Sequence, residues 1–420
     1  MTKQMITRRT VVGSLAGALA GAAVVGGTEA GAQTTPAPRA AGQQWDVVVI
    51  GAGVFGSWSA YKLLKQGKKV LLVDSWGPSH ARASSGGESR LTRTEYGGDQ
   101  IYTRFAWEAL SDWIALSKKA ELPIFHPIGA LYIYQKEPDT LAASVALNKE
   151  LGAPMQRVER AELLKRYPQI GLDGIQFGVL QPTMGALMAR RGVQTLVKHF
   201  VEEGGTYQQL AIQPPKAGAA LDAITSLSGE TLRAKQFVFA CGPWLPKLFP
   251  DVVGARIVPT RQEIFFFGPD AGDTRFDPPQ MPAWVDPDEP GIPYGFPSLE
   301  TRGFKLAIDA HGPRVDPDTN DRIISAEGLK QIRAYLARRF PGISKRPLSE
   351  SRVCQYENSD NGDFIIDKHP KWENVLIVGG GSGHGFKHGP AVGRYVSELA
   401  TGKLSKPEAR FALTAHKYQG

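Results

Sequence analysis

Cysteine is almost missing from this 420-residue sequence, with Cys241 and Cys354 the only two. Two thiols cannot staple a disulfide scaffold, so the fold must rest on a hydrophobic core, for which 42% apolar residues in a chain of this length are ample. Zinc and iron ligand spacings are missing too, and the eight histidines form no cluster, so no metal is expected. There is no internal repeat. The formal charge is +8, yet no run of basic residues alternates with aromatics, which argues against a nucleic-acid partner. A mildly positive protein suits anionic small molecules, and a solvated surface rich in lysine accounts for the charge equally well.

Strong hydrophobic runs are also scarce. At the N-terminus, Thr7-Arg8-Arg9-Thr10-Val11-Val12 opens an uncharged stretch of Ala and Gly reaching about Thr28, and Ala30-Gly31-Ala32 supplies small residues suited to signal peptidase. This pattern resembles a twin-arginine signal over residues 1–32. It implies passage of a folded protein through the twin-arginine export machinery to the periplasm or beyond, a route suited to proteins loaded with cofactor before export. A membrane anchor is the alternative, disfavoured by so weakly hydrophobic a segment. Residues 33–44, with Pro36 and Pro38, read as a linker.

What the sequence does contain is two glycine turns near opposite ends. Asp46 to Ile50 is β-branched and compact, Gly51-Ala-Gly53-Val-Phe-Gly56 follows, and Val54, Trp58, Tyr61 and Leu64 recur at helical spacing before a strand from Val70 to Val73. In such a βαβ unit the first glycine permits the turn, the second lets backbone approach a pyrophosphate, and the third allows close packing. Asp74 then offers a carboxylate to a ribose diol and disfavours a 2′-phosphate. The unit does not separate FAD from NAD. The distal turn does: a strand from Asn374 to Val378 leads into Gly379-Gly-Gly381-Ser-Gly383-His384-Gly385 and a helix carrying Val392, Val396 and Leu399. That second helix N-terminus suits the negative charge of a reduced flavin. A helix near Leu187 to Glu203, a strand near Gln236 to Ala240 and the turn Cys241-Gly242-Pro-Trp244 complete the dinucleotide unit, with Gly242 and Trp244 expected at the cofactor. The expected fold class is α/β: an FAD-binding Rossmann-like domain of glutathione-reductase type (45–125, 186–257, 351–420) with a mostly antiparallel substrate domain (126–185, 258–350), where alternation such as Ala130 to Tyr134 predicts strands.

Several ordered blocks together carry a family resemblance: Ser84-Ser-Gly86-Gly-Glu-Ser-Arg90-Leu-Thr-Arg93, Tyr294-Gly-Phe-Pro-Ser298, Gly303-Phe-Lys305, Cys354-Gln-Tyr356, Asp363-Phe-Ile-Ile-Asp367 and Ser382-Gly-His-Gly-Phe-Lys387. From about residue 45 onward the chain resembles the monomeric sarcosine oxidase family, which includes N-methyltryptophan, pipecolate and fructosyl amine oxidases. The resemblance implies FAD, a monomer, and a cofactor site that includes Ser84, Arg90, Gly381, Gly383, His384, Gly385 and Lys387. It places Cys354 at the residue bonded covalently to the flavin, against the alternative of an ordinary buried thiol. Gly86 departs from a histidine of the related oxidases, which puts the covalent link in question. Lys305 falls on the lysine set against the flavin face, where a cation would favour electron transfer to oxygen. Arg90 would stabilise charge on the reduced ring. Arg93 and Lys387 would grip a substrate carboxylate, and Tyr294 and Tyr356 would flank its amine. Asp309 is the second departure, standing where sarcosine oxidases have a histidine, with His311 two positions on. A carboxylate there suits a polar or cationic substituent, which makes sarcosine itself a weaker expectation.

The implied reaction is oxidation of the C–N bond of a small secondary amine or amino acid to an imine, with O2 reduced to H2O2. Two other readings keep the fold: a dehydrogenase passing electrons to a periplasmic acceptor, and a flavin-binding partner protein without turnover. Retention of Arg93, Lys387 and Lys305 together argues against the last.

Overall fold

The computed structural model describes residues 44–216 and 221–417; the leader over 1–32 and residues 33–43 of the expected linker lie outside the described residues. The first strand, Gln44–Ile50, begins on the last residue allotted to that linker.

One sheet is parallel at its centre. Its order is Ile365–His369, Trp372–Gly379, Thr231–Phe239, Gln44–Ile50, Val70–Asp74, Thr206–Gln209, with Ala223–Thr225 paired onto Thr231–Phe239. The pairings from Trp372–Gly379 across to Thr206–Gln209 are parallel, and Ile365–His369 closes one edge antiparallel. Strands that are buried on both faces should read as unbroken apolar runs, and Val47 to Ile50, Val70 to Val73 and Val375 to Val378 do so, all of them buried. The carboxyl ends of the adjacent parallel strands deliver Gly51, Asp74, Cys241 and Gly379 to one edge, where open α/β sheets bind their ligands.

The second sheet has eight strands, in the order Leu348–Asn358, Val258–Phe267, Phe304–Ile308, Pro293–Phe296, Ala283–Val285, Ala130–Tyr134, Phe177–Gln181, Gln156–Glu159. All its pairings are antiparallel except that between Ala283–Val285 and Ala130–Tyr134. A small three-stranded sheet of Ser89–Thr92, Gly185–Met188 and Phe125–His126 stands apart from both.

These pairings correct the expected segment boundaries. Residue 351 falls inside Leu348–Asn358, which pairs along its length with Val258–Phe267, so residues 351–358 belong to the eight-stranded sheet rather than to the dinucleotide unit. The boundaries at 125/126 and 185/186 cut through strands of the small sheet. The helix expected from Leu187 begins at Ala189, because Leu187 is held in a strand against Arg90.

Trp113 shows how the core fixes the distal turn. On the helix Gln100–Lys119 it meets Trp58 edge-on at 5.2 Å and stacks on Phe386 at 5.4 Å, while its indole N–H donates to the Lys387 carbonyl at 2.9 Å. A buried indole needs a hydrogen-bond partner, and here that need pins the backbone beneath Lys387.

Candidate active site

Two cavities carry the chemistry. The first, about 490 Å³, is lined by Gly51, Gly53, Asp74, Ser84, Gly242 and Trp244, with His80, Cys241 and Glu357. Gly51 has φ +102°, and a Cβ there would lie 2.3 Å from the Ala240 carbonyl oxygen. A Cβ on Gly56 would lie 1.8 Å from the Gly51 oxygen, so Gly56 is buried under the turn and lines neither cavity. Gly53 is different: a Cβ there would meet nothing nearer than Ser85 Oγ at 3.6 Å. The protein itself leaves that side open, as a glycine reserved for close approach of a phosphate requires. Asp74 accepts from the Ala52 N–H at 2.8 Å through one oxygen and from the N–H groups of Trp76 and Gly77 at 2.9 and 3.0 Å through the other. Its carboxylate is therefore aimed by backbone, and it ties the glycine turn to the second strand. The open flank at Gly53, the oriented Asp74 and an unpartnered Glu357 Oε2 in the same cleft fit a dinucleotide such as FAD.

The second cavity, about 400 Å³, is lined by Arg90, Arg93, Tyr294, Asp309, Gly383, His384 and Lys387 from the expected set, and by Glu95, Tyr96, Tyr132 and Tyr134, which sequence reasoning missed. The Arg93 guanidinium stacks 3.9 Å from the centre of the Tyr96 ring and donates to the Glu95 carbonyl. Lys387 Nζ donates to the Tyr96 hydroxyl at 3.0 Å and to the His384 carbonyl at 2.8 Å. Both cations thus meet on one tyrosine. Burial opposes the Arg93 charge, but the Tyr132 and Tyr96 hydroxyls with Asp309 and Glu95 outweigh it and hold the guanidinium protonated. Burial, and then the Arg93 charge, hold the Lys387 amine well below the usual lysine range, with Asp309 acting in the opposite sense. Arg90, Arg93 and Lys387 share this cavity with two acids, Glu95 and Asp309. An arriving anion would pair with Arg93 and favour the charged form of Lys387.

Tyr356 donates to Asp309 Oδ1 at 2.9 Å, which orients that carboxylate on the wall. Burial pushes the Tyr294 hydroxyl up to about 12 and the Tyr356 hydroxyl well above its ordinary value, so both remain neutral donors. His384 is held by Gly362 O at 3.0 Å and the Tyr96 hydroxyl at 3.3 Å, and burial followed by the Lys387 charge lowers it to about 3. It is a neutral member of the wall.

Cys354 sits between the cavities. Its Sγ donates to the carbonyl of Ser84, on the first cavity, at 3.6 Å, and accepts from Nη2 of Arg90, on the second, at 3.5 Å. Gly86 is closed by backbone: a Cβ would fall 2.0 Å from the His80 carbonyl oxygen, so no histidine fits there without the loop moving. Lys305 is buried, but it lines neither cavity. Its Nζ donates to Ser89 O at 2.6 Å and Ser89 Oγ at 3.0 Å, beside a void of about 10 Å³ next to the residue preceding Arg90. That volume suits about one water. Burial, then the Arg90 charge, hold its amine well below the usual lysine range. Gly381 and Gly385 also stay off both cavity walls, Gly381 lying against Glu357 and Gly385 against Phe55.

Comparison with known proteins decides what such a pair of cavities belongs to. Residues 46–399 match the family described as FAD dependent oxidoreductase, DAO. The chain belongs to the FAD dependent oxidoreductase family. Monomeric sarcosine oxidase of Bacillus sp. (strain NS-129) is 31% identical over 375 residues, covering 88% of this chain and 96% of that one. Peroxisomal sarcosine oxidase of Mus musculus is 29% identical over 85% of this chain and 92% of its own length. Among solved structures, L-proline dehydrogenase from P. horikoshii superposes with a TM-score of 0.75 at 18% identity, over 88% of this chain and 96% of its own, a likeness of fold. The FAD dependent oxidoreductase assignment makes the protein an FAD-dependent enzyme related to the sarcosine oxidases.

Proposed function

We propose that this protein oxidises the C–N bond of a small amino acid with a free carboxylate and a secondary or cyclic amine, releasing an imine that water hydrolyses and reducing O2 to H2O2. The observation that carries the reading is the meeting of half-buried Arg93 and buried Lys387 on Tyr96, in a cavity where a substrate carboxylate would pair with both. FAD, when bound, supplies the two-electron acceptor that takes a hydride equivalent from the substrate and passes electrons to oxygen. The chain's own part is positional. Arg93 and Lys387 bind the carboxylate through charge-assisted hydrogen bonds. Burial and the two cations disfavour an ammonium, and so favour the neutral amine from which a hydride can leave. Tyr294 and Asp309 on the facing wall fix the rest of the molecule.

The contacts of Cys354 Sγ with Ser84 on the first cavity and Arg90 on the second support attachment of the flavin at that sulfur. Lys305 supports oxygen as the acceptor: Lys305→Met is expected to slow reoxidation of reduced enzyme far more than its reduction by substrate, and equal slowing of both steps would remove the role. The leader over residues 1–32 supports export by the twin-arginine route; a variant with Arg8 and Arg9 both changed to lysine is expected to remain in the cytoplasm, and undiminished export would count against it.

The test of the activity is anaerobic bleaching of the yellow protein by N-methyl, cyclic and primary amino acids and by glycated amines. One class should bleach it, with peroxide appearing on admission of air. A yellow protein that none of them bleaches would refute the proposal and leave the FAD-binding fold.

A further inference from the structure

We infer that the Glu357 carboxyl contacts the bound dinucleotide as a hydrogen-bond donor, and that its ionisation loosens the cofactor. Glu357 stands near the end of Leu348–Asn358, opposite Pro259 of Val258–Phe267, and lines the same cleft as Gly51, Gly53 and Asp74. It is 8% exposed. Three glycines close around it: a Cβ on Gly242 would lie 3.8 Å from Oε2, one on Gly379 3.2 Å from Oε2, and one on Gly381 3.1 Å from Oε1. Backbone N–H groups of Gly381 and Gly380 serve the carboxyl, while Oε2 is left without a partner.

The contrast with Asp286 is informative. That acid is also buried, and it receives Arg339 Nε at 2.9 Å and the Tyr335 hydroxyl at 3.1 Å. Asp286 is thus given a cation, whereas no cation pairs with Glu357 among the described residues. The titratable group facing Glu357 across the turn is Cys241, itself near Asp74. Lys247 and Asp318, elsewhere on the cleft wall, are paired with each other, and His80 lines the cleft as well. Burial, partly offset by the Gly381 and Gly380 N–H groups, lifts the Glu357 carboxyl to about 8. At neutral pH it is an acid with an O–H to give, and a buried polar group of this kind needs an acceptor. The oxygen atoms of a dinucleotide supply acceptors, and its diphosphate charge would lift the carboxyl further.

The sign of the linkage follows. The complex holds the proton more tightly than the free cleft, so affinity is constant while Glu357 is protonated in both. It falls about tenfold per pH unit as pH rises above about 8, until the acid ionises in the complex too. The inference rests on the first cavity being the FAD site. Because a bond to Cys354 would hide dissociation, the measurement uses the Cys354→Ser holoprotein, with release of FAD on dilution followed by flavin fluorescence from neutral to alkaline pH. The dissociation constant should climb about tenfold per unit above about 8, and Glu357→Gln on the same background should flatten that climb. The same slope in both proteins, or none in either, overturns the inference. Should the glutamine variant not fold, the Cys354→Ser holoprotein alone still decides, and a dissociation constant that stays level as pH rises through and beyond about 8 overturns the inference equally. Protein that carries no flavin at any pH would instead refute the site on which the inference stands.

Discussion

The cleft beside Gly53 and Asp74 and the cavity beside Arg93 and Lys387 are built by different means. The cleft is shaped by backbone at its turns, with glycines at 51, 53 and 242, strand ends, and the Asp74 carboxylate aimed by N–H groups; Glu357 and Asp318 also stand on its walls. The cavity is mostly side chain, with Arg90, Arg93, Lys387, Glu95 and Asp309 set among Tyr96, Tyr132, Tyr134 and Tyr294. A dinucleotide is recognised by a shape that short sequence can encode, because turn, helix and strand are consecutive. A small anion is recognised by charged side chains brought from segments far apart in the chain, and those that are buried cost several kcal/mol each unless paired. The first kind of site tolerates neighbours that change, and the second depends on every member of the cluster.

The sharpest way to break this contrast is within one glycine turn. Gly56→Val puts side-chain atoms into the Gly51 carbonyl and should abolish both soluble folded protein and flavin, whereas Gly53→Leu, whose Cβ meets only Ser85 Oγ at 3.6 Å, should leave a folded but colourless protein. Far-ultraviolet circular dichroism and visible absorbance separate the two outcomes. Next in size is Arg93→Met, expected to leave bound FAD in place and lower kcat/KM for a carboxylate-bearing substrate by about 100-fold or more, read by steady-state kinetics. Lys387 gives a pH signature. Its amine is lowered when the cavity is free and is favoured in its charged form by a bound carboxylate, so KM should stay low while Lys387 is protonated. KM should then rise as pH passes its lowered value, a dependence that Lys387→Met should lose. The smallest effect belongs to Tyr356→Phe, which removes one hydrogen bond to Asp309 and should raise KM about fivefold, the equivalent of about 1 kcal/mol.

The same division explains what could be read from sequence. Gly51, Gly53, Asp74 and the distal glycine turn were legible because their geometry is local, and the strands around them came out within a few residues. Arg93 and Lys387 were legible only through resemblance, since nothing near either in sequence shows that Tyr96 will bring them together. Glu95, Tyr96, Tyr132 and Tyr134 left no signal: in strand-like or loop sequence they look like surface acid and core aromatics, and only the fold turns them toward one cavity. Glu357 was missed for a related reason. The strand Leu348–Asn358 belongs to the eight-stranded sheet yet ends against the dinucleotide cleft, and a boundary drawn by segment at 351 hides that it serves both. Lys305 was legible only through resemblance as well, since nothing in its strand shows that its amine will be held by Ser89, the residue before Arg90.

The central claim is that the cavity is made for a carboxylate. Anaerobic reduction of bound FAD, compared by stopped flow for an amino acid and for the same amine lacking its carboxyl group, tests this most directly. The account predicts fast bleaching by the amino acid and reduction weaker by about 100-fold or more with the decarboxylated amine, a difference that Arg93→Met largely erases. Equal reduction by both compounds, or faster reduction by the amine, would contradict it.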